Sequence, residues 1–120
     1  MSHASEVKLL TVGLDVGGTK VLGVVTDSTG AVLGERRRPT PTGSGSDLVE
    51  ALKDMTAELC HDPGPESSDS SVGAVGVGIA GLVDRAGVVH YTPNIPQVRR
   101  LDLATSLSAE TSLPVVVDND

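Results

Sequence analysis

The chain has 120 residues, a formal net charge of −7, a single Tyr, and neither Phe nor Trp. That length makes one domain or one lobe of a larger protein, with a core built from aliphatic side chains alone. The acidic balance argues against a nucleic-acid partner, whose phosphates call for a basic face; no apolar run reaches ~18 residues, the length that suggests a membrane span.

Met1–Glu6 lacks the charged-then-apolar pattern of a secretory signal, so a cytoplasmic location is expected. Val7 to Val16 reads as a strand, apolar on both faces near its end, as a buried central strand is. Gly17-Gly18-Thr19-Lys20 turns the chain into a second strand, Val21 to Thr26. Asp27-Ser28-Thr29-Gly30 is a hairpin signal leading to a third strand, Ala31 to Arg37. The basic run Arg36-Arg37-Arg38 reads as a solvated strand end or turn, with steering of an anionic ligand as the minor alternative.

Asp47 followed by Glu50 suggests a helix N-cap box. Leu48, Leu52, Met55 and Leu59 then recur at spacings that put them on one helical face. Cys60, the only cysteine, sits beside that stripe, so there is neither an internal disulfide nor a Cys cluster for a metal. Pro63-Gly64-Pro65 ends the helix, Glu66 to Ser71 is a polar loop, and Val72 to Ile79 is a buried strand. Gly81 to Val89 reads as a loop running into a short strand, turning at Asp84 to Gly87. Tyr91 to Pro96 reads as an extended surface segment, because each proline pushes its predecessor away from helix. Asp102 caps a short helix, Leu103 to Thr111, and Pro114 to Val117 is a last buried strand.

The order is therefore three strands, helix, strand, helix, strand. A sheet begun by hairpins and continued by helical crossovers is the layout of a ribonuclease-H-like, or actin-like, ATPase lobe of the α/β class. Such crossovers bring strand carboxyl ends to one edge, where ligands bind.

Two sequences carry candidate chemistry. In Asp15-Val16-Gly17-Gly18-Thr19-Lys20 a carboxylate ends a buried strand and two glycines follow in a tight turn. Glycines let backbone N–H groups approach an anion, and the carboxylate can hold Mg²⁺ directly or through water. An ordinary glycine hairpin has the same signature. It is not a P-loop, which needs Gly-Lys-Ser/Thr opening a helix; here Thr19 precedes Lys20 and a strand follows. Gly76-Val77-Gly78-Ile79-Ala80-Gly81 fits G-x-G-x-x-G by letter, but Leu82 to Gly87 cannot open the helix that motif requires. The second sequence is Asp118-Asn119-Asp120, where a buried strand emerges. A carboxylate there can accept a hydroxyl proton and an amide can fix a hydroxyl, although a solvated strand end reads the same way.

Taken in order, Asp15 to Lys20, Gly81-Leu82-Val83-Asp84 after the Gly-rich strand, Pro93-Asn94-Ile95-Pro96, and Asn119-Asp120 resemble the ROK family of sugar kinases and sugar-responsive regulators. The match extends over nearly the whole chain and is most similar to the glucokinases of that family. Departures are Ala80 where many members carry Pro, Val98 near a common aromatic position, and Asp118 in place of a common Glu.

The resemblance implies transfer of the γ-phosphoryl of ATP to the 6-hydroxyl of a hexose, glucose foremost. ADP and polyphosphate stay open as donors. Asp15 would help position Mg²⁺, and Gly17, Gly18 and Thr19 would contact the nucleotide phosphates. Gly81 and Asn119 would bind the sugar, and Asp120 would be the general base. It further implies a second lobe beyond Asp120 with more sugar contacts and a Cys-rich Zn²⁺ motif, a homo-oligomer (dimer or tetramer) as the full-length form, and no activity for residues 1–120 alone. A sugar-responsive regulator of the same family would need a DNA-binding helix-turn-helix ahead of the fold, and only fourteen residues without helical pattern precede Asp15. A non-catalytic fragment is the remaining alternative.

Overall fold

The computed structural model describes residues 8–61 and 70–120. Three strands open it: β1 (Lys8–Val16), β2 (Lys20–Thr26) and β3 (Val32–Pro39). They pair antiparallel in succession, with Val16 opposite Val21 and Lys20 opposite Pro39. The hairpin between β2 and β3 is organised by the Asp27 carboxylate, which accepts hydrogen bonds from the Thr29 amide and hydroxyl and from the Ala31 amide. Helix α1 (Gly45–His61) leads on to β4 (Ser70–Ile79), which lies parallel to β1. Helix α2 (Leu103–Thr111) precedes β8 (Val115–Asn119), which lies parallel to β4. The resulting order is β3-β2-β1-β4-β8.

Side chains alternate across this sheet as strand geometry requires. Leu10, Val12, Leu14 and Val16 point to the buried side, with Val21 and Val25 of β2, Val75, Val77 and Ile79 of β4, and Val117 of β8. The predicted stripe of α1 covers them: Leu48, Leu52, Met55 and Leu59 are all at most 1 % exposed. Leu103 and Leu107 of α2 complete the cluster. Each such leucine contributes about 1.5–3 kcal/mol of burial free energy, so α1 is held by its apolar face.

Three details differ from the sequence expectations. The cap of α1 is Ser44, whose carbonyl accepts from the Asp47 and Leu48 amides while the Asp47 carboxylate reaches back to the Ser44 amide at 3.0 Å. Asp47 thus supplies one half of a capping box from inside the first turn, the half usually taken by Glu, while the Ser44 hydroxyl pairs with that of Ser46. Second, a small sheet of β5 (Leu82–Val83), β6 (Val88–Tyr91) and β7 (Arg99–Asp102) stands beside the main one. Its strands are too short and polar to show a two-residue period.

Third, residues 92–98 fold as two consecutive turns, closed by Ile95 N–H to Thr92 O and Val98 N–H to Ile95 O. Each has proline at its second position, a site that the ring's fixed φ suits. Thr92, Ile95 and Val98 are buried, so the segment is anchored in the core rather than lying on the surface. The basic run is the solvated end of β3, as expected, and is paired there: Arg38 with Glu58 at 2.7 Å and Asp54 at 3.7 Å, Arg36 with Glu58 at 3.7 Å, and Arg37 with Glu35 of its own strand at 3.6 Å. The Pro63–Pro65 stop and most of the polar loop lie outside the described residues. Asp102 caps α2 as expected, accepting from the Thr105 amide. No helix among the described residues is long and apolar enough to cross a membrane.

Candidate active site

Because β1, β4 and β8 are parallel, their carboxyl ends meet at one edge. The turn after β1, Gly81 after β4, and Asn119-Asp120 at the end of β8 all lie along it. The candidate residues collected from opposite ends of the sequence are therefore neighbours.

Asp15 stands on the side of the sheet opposite the helices, in register with Gly78 of β4 and, beyond it, with Asp118 of β8. Asp120 extends the pairing by one residue, its amide donating to the Ile79 carbonyl at 3.1 Å. A side chain on Gly78 would begin 3.5 Å from the Asp120 carboxyl carbon. The bare backbone at Gly78 thus lets Asp15 and Asp120 reach each other across β4. Hydrogen bonding to Asp120, with lesser contributions from burial and from the Asp120 charge, raises the Asp15 pKa above its ordinary value. The two carboxyls edge an open hollow of about 340 Å³ floored by Gly76 and Gly78 and walled by Leu22 and Val24.

Two converging carboxyls supply the hard oxygen donors that Mg²⁺ takes, and they crowd each other in a way that a divalent cation relieves. Among the described residues no cluster of three or more acidic, His or Cys side chains forms a metal cage. Mg²⁺ usually completes its shell with water and substrate phosphate rather than with protein, so the residues present fit that ion.

The turn beside Asp15 is built tightly. The Gly17 amide donates to the Lys20 carbonyl at 2.9 Å. Thr40, 6 % exposed, clamps it from outside: its amide donates to the Thr19 carbonyl at 3.0 Å and its hydroxyl to the Gly17 carbonyl at 2.7 Å. Gly18 must be glycine for a reason the sequence does not show. A Cβ there would come within 2.9 Å of the Asn94 Cβ and 3.2 Å of the Asn94 carbonyl oxygen. At Gly81 a Cβ would land on the Tyr91 carbonyl oxygen and press on Thr92 at 3.1 Å. Both glycines are therefore fixed by close approach of the 91–94 segment.

Asp84 is occupied by its own hairpin. Its carboxylate accepts from the Ala86 and Val88 amides and pairs with His90 Nε2 at 2.9 Å. The His90 hydrogen bond, ahead of the backbone ones, lowers its pKa. Asn119 is exposed at the end of β8, level with Ile79. Thr40 and Asn94 were not assigned roles from sequence. Thr40 lies between prolines with no motif to mark it, and the seat of Asn94 on Gly18 is a contact between residues 76 positions apart.

The ROK family profile matches residues 11–120. The chain is 39 % identical over 112 residues to a glucokinase of Streptomyces coelicolor, covering 92 % of this chain and 32 % of that protein. It is 35 % identical over 108 residues to an N-acetyl-D-glucosamine kinase of Salmonella heidelberg, covering 90 % of this chain and 34 % of that one. Among solved structures, a ROK family glucokinase from Streptomyces griseus in complex with glucose and AMPPNP superposes with a TM-score of 0.77 at 34 % identity, over 92 % of this chain and 33 % of that chain. The chain thus spans about a third of the length of the curated relatives it matches. The fold is that of an actin-like ATPase lobe, and the chain belongs to the ROK family.

Proposed function

We propose that residues 1–120 form the N-terminal lobe of a two-lobed hexose kinase that transfers the γ-phosphoryl of ATP to the 6-hydroxyl of glucose. The observation that carries this reading is the meeting of Asp15 and Asp120 over Gly78, beside the Gly17–Thr19 turn. Phosphoryl transfer asks little covalent chemistry of a protein; it needs an aligned acceptor, charge neutralisation and a place for one proton. Backbone N–H groups of Gly18 and Thr19 bind phosphate oxygens, while the Gly17 amide closes the turn on the Lys20 carbonyl and brings its own backbone up to the phosphates. Asp15 holds Mg²⁺, which when bound neutralises charge on the transferring group. The Asp120 carboxylate accepts the hexose hydroxyl proton as the oxygen attacks phosphorus. Asn119 and the Gly81 backbone orient the sugar. Glucose is favoured over N-acetylglucosamine by the higher identity to the glucokinase.

A coupled assay on the full-length protein with glucose, ATP and Mg²⁺ tests the assignment. Asp120→Asn is expected to lower kcat by roughly 10²–10⁴-fold, the usual worth of a positioned base, with little change in glucose affinity. Near-normal turnover in that variant removes Asp120 as the base.

A further inference from the structure

We infer that Asn94 is a ligand-contacting residue whose carboxamide donates a hydrogen bond to the phosphate chain held by the Gly17–Thr19 turn. The inference rests on the kinase reading and adds to it a side chain for which the family resemblance supplied no role.

Asn94 presses its Cβ and backbone carbonyl onto Gly18, the middle of the turn. Its side chain is exposed and makes no hydrogen bond with the described residues. A carboxamide carries two donors, and one without a protein partner beside the Gly18 and Thr19 amides suits an anion. The support beneath it is rigid. Ile95 and Val98 are buried at 2 % and 0 % exposure, and both turns of the segment are closed by backbone hydrogen bonds. Gln97 Nε2 donates to the Pro41 carbonyl at 3.0 Å, next to Thr40, which itself grips Gly17 and Thr19. The turn and the 93–97 segment are thus fastened together on two sides, with the Asn94 amide left over at the junction.

The simpler explanation is that Asn94 merely shapes its turn, since asparagine tolerates left-handed backbone. Asn94 does not use that freedom: among the described residues, the non-glycine ones with positive φ are Arg100 and Ser112. The turn therefore accepts other residues at this position.

The test uses full-length protein with Asn94→Ala, which keeps the Cβ on Gly18 but drops the donor, and Asn94→Asp, which keeps the shape but presents a repelling charge. Calorimetry measures binding of Mg-ATP and of inorganic tripolyphosphate. Asn94→Ala is expected to weaken both about tenfold or more, as loss of a hydrogen bond to a charged group does, and Asn94→Asp to weaken both further. Tm and the glucose KM should stay unchanged. Unaltered affinity for both probes overturns the inference, as does an effect confined to the glucose KM. So does weakened ATP binding with tripolyphosphate unaffected, which moves the contact to base or ribose. Failure of the unmodified protein to bind either probe is a different result, and it sinks the kinase reading itself.

Discussion

The two sides of the main sheet are made by the same strands and follow opposite rules. On the helix side, β1 presents Leu10, Val12, Leu14 and Val16, each at most 3 % exposed and locked against leucines of α1 and α2. On the other side the same strand presents Thr11, Gly13 and Asp15, and β4 answers with Gly76 and Gly78. One side is chosen for volume and the other for its absence. The packed core and the candidate site are separated by residue parity, so a change at one position and a change at the next should have effects of different kinds.

The largest effect belongs to the helix side. Leu52→Ala removes a fully buried side chain from the centre of the α1 stripe and is expected to destabilise by about 2–5 kcal/mol. Urea unfolding reads this directly, and a loss below ~1 kcal/mol would mean that α1 is not packed as described.

A sharper comparison adds the same methyl group on each side. At Gly23 a new Cβ would meet Leu59 Cδ1 at 2.9 Å, Leu14 Cδ2 at 3.1 Å and Met55 Cε at 3.2 Å. Gly23→Ala should cost about 1–3 kcal/mol through overpacking, moderated by the ability of those side-chain ends to shift. At Gly76 a new Cβ finds nothing within 4 Å. Gly76→Ala should stay within ~0.5 kcal/mol of the parent. Equal costs in parallel unfolding curves would erase the distinction between the sides.

The smallest effect is a dependence on pH. Asp15 keeps its proton to higher pH when folded than its ordinary value of 3.8 allows, chiefly because of Asp120. Its contribution is therefore fully favourable below 3.8 and is lost as pH rises through the elevated folded pKa. Asp84 works in reverse, since its lowered pKa adds stability at neutral pH that is lost on acidification. Comparing the chain with its Asp120→Asn variant isolates the pair. The variant should gain relative stability as pH rises from 3 to 7, read as a Tm difference that moves in its favour across that range. A difference that stays flat with pH would show that the two carboxyls do not meet.

Parity also explains what could be read from the sequence. The α1 stripe was legible because Leu48, Leu52, Met55 and Leu59 repeat with helical period, and the α2 cap because Asp102 bonds only three residues ahead. The Gly17–Thr19 turn was visible as a local motif. The pairing of Asp15 with Asp120, 105 positions apart, was not: resemblance named both residues, but only the parallel register of β1, β4 and β8 explains why they touch. Likewise the glycine at position 18 suggested phosphate, whereas its nearest constraint is Asn94. The strand Arg99–Asp102 escaped notice because three of its four residues are charged.

Among the described strands β8 lies at the rim of the main sheet, hydrogen-bonded on one flank only, to β4. Asp120 follows its last residue, with its amide hydrogen-bonded to the Ile79 carbonyl. Rims of sheets fray at far lower free energy than the middle, where β1 is gripped from both flanks. Local opening of β8 would carry Asp120 away from Asp15 while the leucine layer stayed intact. The meeting of the two carboxyls is thus tied to the local opening free energy of β8 rather than to the global stability of the leucine layer.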